Sequence, residues 1–391
     1  MSAPVYDVDF YGDDFIRDPH PRYAEMRALG PVVWLPQNGA FAVARFEEVR
    51  TVLRDWRRFS SAEGLSLIPR VNAILKGSTL NSDPPIHDET RSITAAPLTP
   101  TALKSVEPRI RAAAETLVER LVARGAFDAV SDFATHLPLT IVAELVGLSG
   151  AGRDKMLKWA SATFNLFGDE NDRSKAAFAD LEDLAAYLET YGRIEHLAED
   201  GWARRIFDVG ARDGIPFETC AQLMRDYINP SLDTTIAATG EAIRLFAENP
   251  GEWDRLRAEP ALIPNAIEEV VRLSTPIRAF SRHLAEETTL AGVSLPRGAR
   301  VIAVYASANL DPARYEAPER FDVGRRVRDH LGFGHGPHMC MGAHLARLEI
   351  RSLLEALAPR VSRFRLTGAP VVSMNNTIRA WASLPVAIER G

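Results

Sequence analysis

The strongest constraint on the fold is the helical periodicity that fills the middle of the chain. Between Thr101 and Asp200, segments 110–122, 133–148, 152–167 and 174–197 carry apolar residues three and four positions apart. Gly125, Gly147 and Gly168 punctuate them. Each such segment presents one apolar stripe, and helices of this kind bury their stripes against one another. No alternating strand–helix pattern, internal repeat or low-complexity linker interrupts the series. The expected fold is mainly α with small β-sheets, in a single large domain over residues 1–391.

Strand signals are short. Residues 32–35 and 40–44 flank an Asn38-Gly39 turn, a hairpin signature. Residues 374–388 read as a final hairpin, and 290–295 and 301–304 as further strands. Residues 59–85 lose periodicity and gather Ser, Gly, Asn and Pro, as a functional loop does. The longest helical pattern covers 217–248, roughly 45–50 Å at ~1.5 Å per residue. It reads as one helix crossing the molecule, kinked at Pro230, whose ring meets the carbonyl of Asp226. Asp226, Asn229, Asp233 and Thr234 fall on one stripe of it. Polar groups inside an apolar helix need partners or water, which points to a groove there.

Composition excludes several classes. The net charge of −6 lacks the basic footprint of a nucleic-acid binder. Two cysteines, Cys220 and Cys340, are too few for a disulfide framework and suit a reducing compartment. The N-terminal residues show neither the basic nor the apolar region of a signal peptide, and no uninterrupted apolar run approaches a membrane span. A cytoplasmic protein without membrane contact is expected.

Three constellations carry chemistry. Cys340 sits in the glycine-rich loop Phe333-Gly-His-Gly-Pro-His-Met-Cys-Met-Gly342, directly before a helical run. Glycines at 334, 336 and 342 permit positive φ, and the following helix N-terminus favours a thiolate. This makes Cys340 a ligand candidate beside the plainer reading of a buried small hydrophobe. His87 and Arg91, four apart after Asp83-Pro-Pro, share a helix face suited to an anion or simply to water. Glu269 and Arg272 can pair at i, i+3, and if buried among their apolar neighbours they need further partners.

Taken together, these pieces resemble the cytochrome P450 superfamily, in particular its soluble bacterial haem-thiolate monooxygenases. The resemblance covers nearly the whole chain in order. Phe333, Gly336, His338, Cys340 and Gly342 match the cysteine-loop signature, and Glu269 and Arg272 match the buried ion pair. Arg320, in Pro318-Glu-Arg-Phe321, matches the third member of that set, and the 83–91 stretch matches a haem-propionate segment.

The resemblance implies haem b between the kinked helix and the cysteine loop, with Cys340 as the iron ligand. His87, Arg91, Arg282 and His338 would hold the propionates, and Phe333, Gly334 and Gly342 would lie against the macrocycle. Asp233 and Thr234 would form the acid–alcohol pair that relays protons. Pro230 and Ser231 stand where relatives carry a small residue and glycine, which draws Ser231 and Asn229 into that relay. Pocket positions in relatives match Leu65, Ile68, Phe164, Phe167, Asn229, Ile277, Phe280 and Trp381, which implies a small hydrophobic or aromatic substrate. A carboxylate on it would require a cation, for which Arg225 and Arg278 are available, opposed by Glu63 and Asp226.

No flavin- or nicotinamide-binding segment is visible, so the resemblance implies electrons from a ferredoxin and its reductase, with O2 as co-substrate. Arg57, Arg58, Arg109, Arg347 and Arg351 would form the basic docking face. Rival readings are a zinc site on His335, His338, Cys340 and His344, a haem protein that senses or stores, and a peroxide-driven oxygenase.

Overall fold

The computed structural model describes residues 2–148, 150–228 and 230–391. Its core is where the periodic helices meet. The helix Glu107–Arg124 buries Ile110, Ala114, Leu117, Val118 and Leu121, a three- and four-residue stripe. They join Leu345, Leu348, Leu353 and Leu354 of the helix Ala343–Leu357 in one apolar cluster. Gly125 ends the former helix at φ +81°, where its N–H donates to Leu121 O at 2.9 Å. The helix Asp172–Tyr191 opens with a capping box between Asn171 and Ser174.

A five-stranded sheet runs in the order Val33–Leu35, Ala40–Val43, Arg300–Ala303, Phe280–Leu284, Phe59–Ser60. Ala40–Val43 and Arg300–Ala303 are parallel, and the other pairs are antiparallel. The expected first hairpin is present, with Gly39 at φ +58°. This sheet carries Arg282 on a strand buried at most positions.

Several expectations change. The tail is no hairpin of its own. Trp381–Ser383 pairs with Val371–Val372, while Pro385–Arg390 lies between Val361–Leu366 and Ala126–Asp128. Residues 59–85 contain a helix, Pro69–Leu75, with proline at its first turn. The helical stretch from Ala129 to Val146 is long and apolar enough by composition to cross a membrane. Phe133, Leu137, Ile141 and Val142 on it nevertheless pack into the central core.

The largest correction concerns the long helix. It is two helices, Phe217–Ile228 and Asp233–Glu248, separated by a turn that includes Pro230, Ser231 and Leu232. Proline lacks the N–H that would continue the ladder, so carbonyls near the break lose helical partners. Side chains replace them: Ser231 Oγ donates to Tyr227 O at 2.5 Å, and Thr234 Oγ1 to Pro230 O at 2.8 Å. Asn229 lies outside the described residues.

Candidate active site

The loop before Ala343–Leu357 is held by its own backbone. Cys340 N–H donates to Phe333 O at 2.8 Å, closing the loop around Gly334 and Gly336. Both glycines adopt φ +72°, and a Cβ on Gly336 would meet Leu53 O at 2.5 Å. Gly342 differs from expectation: its φ of −81° suits any residue. The Cys340 sulfur is accessible from a cavity yet densely surrounded otherwise. Burial pushes its thiol up, while the Gly342 N–H, Arg91, Arg347 and the Ala343 N–H act against that.

That cavity encloses about 1800 Å3 outside the protein atoms, its mouth included. Arg91, Arg282, His338, Phe333, Gly334 and Gly342 line it with Cys340. His87 stands beside them, its ring centroid 4.4 Å from that of His338. Arg91 Nη2 donates to Met339 O at 2.6 Å, and Arg282 Nη1 to Ser281 O at 2.9 Å. Burial first, then the charges of Arg282, His87 and Arg91, hold the His338 imidazole down at about 2, so it is neutral. His87 Nε2 and His338 Nε2 are buried with no partner. Arg91 and Arg282 supply positive charge, which Asp88, 2.8 Å from His87 Nδ1, offsets only in part, and two ring nitrogens lack partners among the described residues, which fits anionic groups such as the two propionates of a haem. Beside an accessible thiol, the residues present fit that cofactor.

Glu269 and Arg272 behave as the sequence indicates. Both are fully buried, with Arg272 Nε and Nη2 on the carboxylate at 2.7 and 2.8 Å. Arg272 Nη1 also donates to Asn309 O and Pro318 O, each at 2.7 Å. The third member, however, is Arg325, whose Nε reaches Glu269 Oε1 at 2.9 Å. Arg320 is 68% exposed and pairs with Asp322. The two arginines are five residues apart on a chain that turns at Asp322–Gly324, and the turn aims the later one inward.

Distally, Ser231 and Thr234 line the cysteine cavity. Asp233 instead faces a neighbouring cavity of about 1140 Å3, shared with Trp381, Ile236 and Arg173. Burial pushes its carboxyl up to about 7. Phe164, Phe167, Ile277 and Phe280 line the cysteine cavity as expected, and Phe280 meets Phe167 edge-on at 5.3 Å. Three expected pocket residues do not. Leu65 and Ile68 are core residues, packed in separate apolar clusters. Trp381 is turned toward Glu241, to which its Nε1 donates at 2.7 Å. Of the two possible cations, Arg225 lines the cavity, whereas Arg278 is committed to Asn376 O, Phe10 O and the Phe10 ring. Glu63 does not line the cavity, but Asp226 does. Thr79 and Asn81 are among the further lining residues that the sequence does not single out, whereas Thr235, in the polar stretch after the break, also lines the cavity. The first two lie in the aperiodic 59–85 stretch, the one signal that could have found them.

Among the described residues no group of His, Cys, Asp and Glu side chains is placed to hold a metal by itself, so the zinc reading has no geometric support. The arginines expected on the cysteine side are mostly neutralised. Arg58, Arg109 and Arg347 pair with Asp55, Glu144 and Glu268, and Arg57 lies over Trp56.

Comparison with known proteins agrees with this geometry. The family model described as Cytochrome P450 matches residues 222–387. Cytochrome P450 CYP199A2 of Rhodopseudomonas palustris is 34% identical, covering 99% of this chain and 95% of the relative. Linalool 8-monooxygenase of Pseudomonas putida is 30% identical over 95% of each chain. The crystal structure of an intact type IV self-sufficient cytochrome P450 monooxygenase superposes with a TM-score of 0.87 at 28% identity. It covers 99% of this chain, which spans only 54% of that longer one. The cysteine loop, the buried Glu269–Arg272 pair and relatives that match from end to end lead to one conclusion: this chain belongs to the cytochrome P450 family of haem-thiolate monooxygenases.

Proposed function

We propose that this protein inserts one oxygen atom of O2 into a small hydrophobic, aromatic substrate, by hydroxylation or oxidative O-demethylation. Its electrons come from an external ferredoxin and reductase in the cytoplasm, and the whole chain acts as one catalytic domain. The observation that carries the substrate reading is the wall of Phe164, Phe167 and Phe280 in the same cavity as Cys340. Edge-on phenylalanines favour a flat apolar partner over a flexible polar one. Linalool, the substrate named for one relative, is likewise small and mostly apolar.

In this reading Cys340 would hold the haem iron through its thiolate, and His87, Arg91, Arg282 and His338 would hold the propionates. When bound, the haem activates O2, and electron donation from a thiolate favours O–O cleavage. The protein's own part is positional and protonic. Asp233, with a carboxyl poised near 7, holds a proton at the neighbouring cavity. Thr234 Oγ1, one residue on, would carry it into the cysteine cavity by turning from Pro230 O, which it caps, and Ser231 Oγ, now on Tyr227 O, is a second hydroxyl there. A group titrating near the working pH is the effective choice for such transfer.

The reading is tested with holoprotein, ferredoxin, reductase and a panel of phenols, benzoates and terpenes. A spin-state shift with an oxygenated product from small aromatics is expected. Shifts confined to large macrocycles or long lipids would count against it. Ferredoxin-driven turnover should fall as salt rises, and insensitivity to salt would remove electrostatic docking from the account.

A further inference from the structure

Part of the cavity lining is polar. Arg225 and Asp226 on the helix Phe217–Ile228, with Gln222 of the same helix, meet Ser78, Thr79 and Asn81 from the 59–85 segment, with Thr79 hydrogen-bonded to Asp226. Some of these groups are already used. Gln222 Nε2 donates to Lys76 O at 3.0 Å, and Asn81 Nδ2 to Ser78 Oγ at 3.0 Å. What remains is distinctive: among the described residues, Arg225 Nε, Asp226 Oδ2 and Asn81 Oδ1 are buried with no partner. Burial weakens the Arg225 charge, and no neighbouring group offsets it. Burial also raises the Asp226 carboxyl to about 6, with Thr79 partly opposing. Buried polar atoms left unpaired are costly, and three on one cavity wall await a ligand.

The signs of these groups narrow its chemistry. A bare carboxylate gains from Arg225 but is repelled by Asp226, and an ammonium meets the reverse. A neutral group that both accepts and donates satisfies the two together. Arg225 and Asp226 lie in the last turn of the helix Phe217–Ile228, before the break, and Thr234 lies after it in the same cavity, so a head held there leaves an apolar body reaching toward the break. We infer that the substrate carries a neutral donor–acceptor head, a hydroxyl or carboxamide, which accepts from Arg225 and donates to Asp226 or Asn81. This rests on the reading above that the cavity takes a small apolar body, and it adds what stands at one end.

The test uses four probes of one shape: para-ethylbenzyl alcohol, para-ethylbenzamide, para-ethylbenzoate and para-diethylbenzene. Each is titrated into the holoenzyme at neutral pH while the spin-state shift is followed. The alcohol or amide should bind about tenfold or more tighter than the benzoate and the hydrocarbon, as a hydrogen bond to a buried charged group implies. Asp226→Asn should narrow or reverse the discrimination against benzoate, and Arg225→Gln should erase the gain of the polar probes over the hydrocarbon. An unchanged carbon-monoxide band certifies that both variants hold haem normally. Tightest binding by benzoate in the parent, equal binding by the hydrocarbon, or an undiminished discrimination against benzoate in Asp226→Asn overturns the inference while leaving the small-aromatic reading intact. Binding by none of the four overturns both.

Discussion

The two sides of the central cavity are built on opposite principles. On the cysteine side each group has a defined target: the loop closes on its own backbone, and the imidazoles and guanidiniums gather around one anion-sized region. On the other side a helix is broken, its carbonyls are capped by hydroxyls, and Arg225 Nε and Asp226 Oδ2 lie without partners among the described residues. The first arrangement serves a permanent occupant whose charges it can match once. The second serves occupants that come and go, so its polar groups remain available. The difference separates what makes the protein a member of its family from what decides which substrate it takes.

The sharpest way to break this comparison is at the thiol. Cys340→Ala should abolish oxygenation and the carbon-monoxide band characteristic of a thiolate ligand, whereas Cys220→Ala, in the apolar core, should keep both. Next in size is the buried ion set. Removing Glu269 leaves Arg272 buried and uncompensated, so Glu269→Ala should cost about 3–5 kcal/mol in denaturant unfolding. Arg325→Ala should also destabilise, while the exposed Arg320→Ala should stay within about 0.5 kcal/mol. Equal effects of the two arginine variants would restore Arg320 to the role its sequence position indicates.

On the distal side, Thr234→Ala should keep reductant consumption but lower the product formed per reductant several-fold, by the usual weight of a positioned proton donor. Coupling equal to the parent's would remove the hydroxyl from the relay. A further effect, read against pH, concerns Glu349, buried on the cysteine-side helix with both oxygens unpartnered among the described residues and its carboxyl raised by burial to about 8. The folded state holds this proton where the unfolded chain, near the ordinary 4.5, has released it. Stability from this group is therefore full below the unfolded value and declines as pH climbs toward about 8. Glu349→Gln should flatten that decline in a melting series over this range, and an unaltered slope would show that Glu349 is not its source.

Much of the cysteine side was legible because its chemistry is local. Cys340, its glycines and the Glu269–Arg272 spacing are fixed by loop and helix geometry that short stretches encode. Arg325 escaped because two arginines in one proline-rich approach look alike until the turn at Asp322 decides which points inward. The broken helix was read as a kink, since Pro230 announces a disturbance but not whether the ladder resumes at once. Leu65, Ile68 and Trp381 were assigned to the pocket by position, yet whether a residue faces a cavity or the core depends on packing between segments distant in sequence. The polar lining is hidden for the same reason: Thr79 and Asn81 come beside Arg225 and Asp226, far along the sequence, only in the folded chain.

The central claim, oxygen insertion over a thiolate-held haem, is tested most directly by turnover in isotopically labelled O2 with ferredoxin and reductase. The account predicts a small aromatic product carrying one labelled oxygen atom per insertion, with none derived from labelled water. In an O-demethylation the inserted oxygen leaves in formaldehyde, which exchanges with water, and the phenol keeps the ether oxygen of the substrate, so the test uses an aromatic that is hydroxylated rather than demethylated. Product oxygen drawn from water, or reductant consumed with no oxygenated product from any small aromatic tested, would contradict it.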